Sequence, residues 1–134
     1  MQLRHRGELD LLKEIRERFK ASFPVKESGV ITGIGDDAAV IAPPADPVLI
    51  TTDMMNEGVH FDLAYTAPVH LGFKLVSVNV SDIMAMGGRP RYVVLSLSMR
   101  GDLDDRFFRE FFDGVAAALD HYGMALVGGD LSGT

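Results

Sequence analysis

LGFKLVSVNVSDIMAMGGRP, residues 71–90, reads as one long apolar helix with a carboxylate near its middle. Phe73, Val76, Val80, Ile83 and Met84 recur at three- and four-residue spacing, which places them on one helical face and requires that face to be buried. Asp82 lies on a different stripe. An ionised carboxylate taken out of water costs several kcal/mol unless it is paired, hydrogen-bonded or bound to a cation. No Lys or Arg stands at a helical neighbour position, because Lys74 is two turns away and Arg89 lies beyond the Gly87-Gly88 pair that ends the helix. Two readings follow: a cation supplied from outside the segment, or a partly exposed Asp on the solvent edge of a core helix.

Length and composition bound what such a helix can belong to. The chain has 134 residues, one domain's worth, with 47% hydrophobic and 24% charged residues, an ordinary globular composition. No apolar run is long enough to span a bilayer, so a membrane protein is not expected. The net charge of −6, with no large basic cluster, argues against a surface that grips nucleic acid. There are no cysteines, which excludes disulfides, thiolate metal sites and a cysteine nucleophile and leaves carboxylates as ligands for hard cations. The N-terminus, MQLRHRGELDLLKEI, is charged and amphipathic rather than a signal core, and a cytoplasmic location is the expectation.

Outward from the central helix, Glu8 to Lys20 is predicted to be a helix with Leu12, Ile15 and Phe19 on one face, and its charges need no explanation beyond solvation. Pro24 stops it, and a glycine- and serine-containing loop runs from Lys26 to Gly35. The loop delivers GIGDDAAVIAPP at 33–44, in which Ala38 to Ile41 reads as a short strand. Adjacent side chains on an extended chain point apart, so only one of Asp36 and Asp37 faces a given site while the other caps a turn. VLITTD at 48–53 reads as a strand with Val48, Ile50 and Thr52 on one face and Leu49, Thr51 and Asp53 on the other. His60 follows in a loop, where a histidine is ordinarily a surface residue.

Beyond the central helix, Arg91 to Met99 is predicted to be a strand, and Asp104 with Asp105 opens a further helix that carries a stripe of Phe107, Phe108, Phe111, Val115, Leu119 and Tyr122. Gly123 ends it, and a strand at Ala125 to Val127 runs into Gly128-Gly129-Asp130. The expected fold is α+β: a two-layer domain with a mixed four-stranded sheet, the long helices on one face and the other face needing a cover from another domain or a second copy. Asp37, Asp53, Asp82 and Asp130 then arrive from separate element ends, pointing to one convergent site of oxygen ligands. Magnesium with phosphate is the commonest use of such a site, and neither a P-loop nor a kinase-type Gly-rich loop with its lysine is present.

GIGDDAAV at 33–40, TTD at 51–53, GVHF at 58–61, VNVSDIMAMGGRP at 78–90 and GGD at 128–130 resemble, in order and spacing, the N-terminal domain of the thiamine-monophosphate kinase family. The helix and GGD elements are shared with the wider superfamily of aminoimidazole ribonucleotide synthetase, selenophosphate synthetase and the hydrogenase-maturation dehydratase. The resemblance implies several magnesium ions held by Asp37, Thr51, Thr52, Asp53, Asp82 and Asp130, a thiamine monophosphate contact at His60, and ATP along Gly129, Asp130 and Tyr122. It also implies a homodimer in which two sheets close into a barrel, and ATP-dependent phosphorylation of thiamine monophosphate to thiamine diphosphate without a protein nucleophile. The family continues into a second α/β domain, so residues 1–134 are expected to be the N-terminal ATP- and magnesium-binding and dimerisation domain of a larger enzyme, inactive alone. The LSGT after GGD departs from the family's threonine-rich continuation. A non-catalytic metal-binding dimerisation module, or a superfamily relative that uses ATP to activate another small molecule, is compatible with the same residues.

Overall fold

Helix α1, Glu8–Lys20, forms where an apolar residue returns every fourth position, and Glu8 and Asp10 in its first turn with Arg18 and Lys20 in its last complement the helix dipole. The buried stripe is Leu11, Ile15 and Phe19. Leu11 thus takes the place expected of Leu12, which is only half-buried, because positions 11, 15 and 19 form the straighter row. The computed structural model describes residues 2–20 and 29–133; the break expected at Pro24 and the opening of the 26–35 loop lie outside them. The chain divides into two units, one of Met1–Asp46, Tyr92–Asp105 and Ala125–Thr134, the other of Pro47–Arg91 and Arg106–Met124.

In the first unit α1 packs on a sheet of two strands, β3 (Tyr92–Met99) and β4 (Ala125–Gly133), which run parallel. A second pair, β1 (Val30–Thr32) and β2 (Val40–Ile41), is antiparallel. The strands among the described residues therefore make two two-stranded sheets and not the single mixed sheet expected. β4 continues well past the expected Val127, because its glycines interrupt the hydrophobic pattern without interrupting the ladder. Val93 pairs with Leu126 but Val94 with Gly128, so Val127 is an extra residue in a bulge. Beyond it a Cβ on Gly129 would lie 2.1 Å from the Leu95 carbonyl oxygen, which accounts for glycine there on packing grounds alone. Arg6 ties the unit's ends together, with 2.9 Å to Glu14 and 3.2 Å to Asp105. Burial opposes its charge, but the hydrogen bonds to both carboxylates outweigh that and hold the guanidinium above its ordinary pKa.

The second unit is built on α2 (Pro68–Ala85) and α3 (Asp105–Tyr122, of which residues from Arg106 belong here). Pro68 sits in the first turn, where its missing N–H leaves no intrahelical bond unmade, and Gly87 at φ 74° takes the left-handed turn after the helix. α2 buries Leu71, Gly72, Val76 and Val80, whereas Met84, expected inside, is 59% exposed. α3 buries Phe108, Phe111, Phe112, Val115 and Leu119. At their crossing the two helices touch backbone to backbone: a Cβ on Gly72 would lie 2.0 Å from the Phe111 carbonyl oxygen, and one on Gly114 would lie 1.9 Å from that of Val69. Tyr122 donates its hydroxyl hydrogen to Ser77 Oγ at 3.1 Å, and its ring lies against Phe73. Among the described residues no helix is long and apolar enough to cross a membrane.

Candidate functional site

Residues 48–53 have the alternation expected of a strand but no strand partner among the described residues, which corrects the expectation of a sheet strand here. Alternation fixes which side chains share a face; it does not supply a partner. The side chains of Leu49 and Thr51 and the backbone of Asp53 lie along the C-terminal half of α2. Leu49 packs over Gly88, Thr51 donates its hydroxyl hydrogen to Asp82 Oδ2 at 3.0 Å, and the Asp53 amide donates to Asn79 Oδ1 at 2.8 Å. Asn79 is held for this task by its own Nδ2, which donates to the Leu75 carbonyl at 3.0 Å. The opposite face points outward, with Val48 62% and Ile50 90% exposed and Thr52 exposed beside them.

Asp82 is exposed, so the desolvation argument for a compensating cation does not apply to it. What marks it is its company: it accepts the Thr51 hydroxyl, and Asp53 is anchored one helical turn away. Downstream, a loop returns the chain to α2. The Asn56 amide donates to His60 Nδ1 at 3.0 Å, so in the neutral ring the proton sits on Nε2 and is free to be donated outward. Lys74 Nζ on α2 donates to the His60 carbonyl at 2.8 Å. A depression of about 280 Å³ is lined by Asp53, Met54, His60 and Lys74 among others, so a candidate metal ligand and the candidate substrate contact open onto one space.

Asp37 and Asp130 belong to the first unit. Asp36 Oδ1 accepts the Asp37 amide at 3.0 Å, a turn-capping contact of the kind expected for one of this pair, and both aspartates are exposed. Asp130 lies opposite Ser96 on β4, exposed, one residue after Gly129. Tyr122 is engaged by Ser77 and Phe73 within the second unit. Among the described residues no group of three or more His, Asp or Glu is arranged to hold a metal ion. The oxygen donors of Thr51 and Asp82, in hydrogen-bond contact, nonetheless suit magnesium, which takes one or two carboxylates and completes its shell with water and phosphate oxygens. Asn79 and Lys74 escaped the sequence reading. For Asn79 a signal existed, since it stands one turn before Asp82 on the same helix; Lys74 reads as an ordinary solvated lysine.

The family model described as AIR synthase related protein, N-terminal domain, matches residues 35–133. The thiamine-monophosphate kinase of Aquifex aeolicus (strain VF5) is 36% identical over 132 residues, covering 98% of this chain and 40% of that protein. The crystal structure of thiamine-monophosphate kinase from Stenotrophomonas maltophilia K279a superposes with a TM-score of 0.75 at 36% identity, over 100% of this chain and 40% of that one. The structure of AaThiL complexed with AMPPCP and TMP superposes with a TM-score of 0.61 at 34% identity, again over 100% and 40%. This chain thus spans about two fifths of the length of the relatives it matches.

Proposed function

The chain belongs to the AIR synthase related protein, N-terminal domain family, and from that premise we propose that it is the nucleotide- and magnesium-binding N-terminal part of a thiamine-monophosphate kinase. The observation that carries this reading is the docking of the TTD segment on α2 by Thr51 to Asp82 and Asp53 to Asn79, which sets hydroxyl and carboxylate oxygens side by side at the helix. In the proposal Asp37, Thr51, Thr52, Asp53, Asp82 and Asp130 supply magnesium ligands, His60 meets thiamine monophosphate, and Gly129 with Asp130 follows the ATP. Tyr122, whose hydroxyl donates to Ser77, lies along the ATP in the same proposal.

The reaction joins two anions: an oxygen of the acceptor phosphate attacks the γ-phosphorus of ATP, the bond to the β-phosphate oxygen breaks, and ADP leaves. Magnesium bound by these oxygens would neutralise the mutual repulsion of the phosphates and the charge on the transferring group. The chain's own contribution is placement. A misplacement of about an ångström can cost on the order of a hundredfold in rate, and the hydrogen bond from the Asp53 amide to Asn79 restrains the backbone at that position. His60, its Nδ1 occupied by the Asn56 amide, presents Nε2–H as a donor.

Calorimetry is expected to show ATP binding to this chain only with magnesium present. Equal binding in EDTA would remove the aspartates from the nucleotide site, and no binding under either condition would remove the nucleotide reading of this chain. The outward face of Val48, Ile50 and Thr52 further supports a homodimer, in which a second copy pairs with this unladdered segment. Sedimentation at micromolar concentration should give a dimer that Ile50→Lys converts to monomer. A wild-type monomer would remove that proposal.

A further inference from the structure

Lys74 opens onto two adjoining depressions. One, of about 240 Å³, is lined by His60, Asp62, Tyr65 and Thr66 with Lys74; the other, of about 280 Å³, by Asp53, Met54 and His60 with Lys74. His60 and Lys74 are thus common to both, and Asp53 lines the second. One ammonium hydrogen of Lys74 is committed to the His60 carbonyl, which leaves two N–H groups on a fixed side chain. The acidic groups around the space are Asp53, clamped through its amide by Asn79, and Asp62, whose Oδ1 accepts the Ala64 amide.

We propose that Lys74 holds the phosphate of a phosphate monoester acceptor between His60 and Asp53. The inference rests on the kinase reading above and names the residue that positions its acceptor. The chemistry fits on three counts. A phosphate monoester carries between one and two negative charges near neutral pH and has three acceptor oxygens, which two lysine N–H groups and one imidazole Nε2–H can meet together. Lys74 is a point charge on a long stem whose direction is already set by the His60 carbonyl, so little ordering remains to be done on binding. Finally, Asp53, one of the proposed magnesium ligands, lines the same depression as Lys74, so a phosphate seated on Lys74 would share that space with an ion that would carry the donor.

The test is binding to the 134-residue chain of two probes, thiamine monophosphate and inorganic phosphate, in the presence of magnesium, followed by titration calorimetry. Three variants separate charge from scaffolding. Lys74→Met removes both; Lys74→Gln keeps a donor for the His60 carbonyl without the charge; Lys74→Arg keeps both. Binding of thiamine monophosphate is expected to weaken at least about tenfold in the Met and Gln variants and to return to within about threefold in Lys74→Arg. Rescue by Gln would show a merely structural lysine and overturn the inference, as would unchanged affinity in Lys74→Met. If inorganic phosphate binds in a Lys74-dependent way but thiamine monophosphate does not bind, the anion assignment stands and the kinase reading falls. Should the wild-type chain bind neither probe, the inference is overturned. The 15N shifts of the His60 ring give a control: Nδ1 should remain the acceptor in every variant, showing that the loop has kept its conformation.

Discussion

Gly114→Ala is expected to lower the melting temperature by about 10 °C or more, a large change for one methyl group. The new Cβ would stand 1.9 Å from the Val69 carbonyl oxygen, 2.8 Å from its carbon and 2.9 Å from the Phe73 nitrogen, all of them backbone atoms of α2. No rotamer change can relieve contacts of that kind, so the helices must separate, and Phe111 and Val115, 3% and 0% exposed, lose packing on both sides. Overpacking typically costs ~1–3 kcal/mol and occasionally more, and a clash confined to backbone belongs at the upper end. For a chain of this size each kcal/mol moves the midpoint by roughly 3–5 °C. Gly133→Ala is the control, since nothing lies within 4 Å of its added Cβ. Thermal unfolding followed by circular dichroism decides it, and a shift of only a degree or two for Gly114→Ala would mean that the helices do not cross this closely.

Asp82→Asn should leave the fold nearly unchanged and weaken magnesium-dependent ATP binding on the order of a hundredfold. The substitution is isosteric, and Asn keeps a carbonyl oxygen able to accept the Thr51 hydroxyl, so the segment can stay docked on α2. Asp82 is exposed, and exposed substitutions away from special contacts usually change stability by less than about 0.5 kcal/mol. What is lost is charge at an oxygen proposed to face magnesium. Groups one step removed from a metal are worth roughly 10–100-fold in affinity, and a direct carboxylate ligand should lie at or above the top of that range. Calorimetry of ATP at fixed magnesium, paired with a melt, reads both halves. Unchanged affinity would strike Asp82 from the ligand set, while a collapse of the melt would make it a structural residue instead.

These two positions also show where sequence patterning speaks and where it stops. Helix α1 could be read to its end residues, because a surface helix advertises its period and its charges. The carboxylate on α2 was equally visible, but its exposure was not: Met84 and Asp82 stand on the same open stretch of helix, and hydrophobicity alone cannot say that the wall facing Met84 is missing. Segment 48–53 shows its alternation in that Leu49 and Thr51 both reach α2 while Val48 and Ile50 are exposed, yet a period of two contains no information about what lies alongside. Strand β1 hid inside a loop rich in glycine and serine, where three residues are too few to show alternation. Gly72 and Gly114 could not be singled out at all, because a glycine that permits close approach looks like any other until the partner helix is in place. Lys74 is the corresponding case in the candidate site: its meaning comes from the His60 carbonyl, fourteen residues away in the chain.

The bulge at Val127 bears on how this family can vary in length. Because two residues of β4 stand where β3 offers one position, the stretch from Leu126 to Asp130 holds one residue more than its ladder requires. A lineage that lost a single residue there could close the bulge, restore an unbroken ladder, and still find Asp130 opposite Ser96 with Leu131 turned inward. A lineage that gained one has no such reserve and must add a second irregularity or turn the aspartate to the other face. Length change just ahead of the GGD motif is therefore asymmetric: shortening by one is geometrically absorbed, and lengthening by one is not.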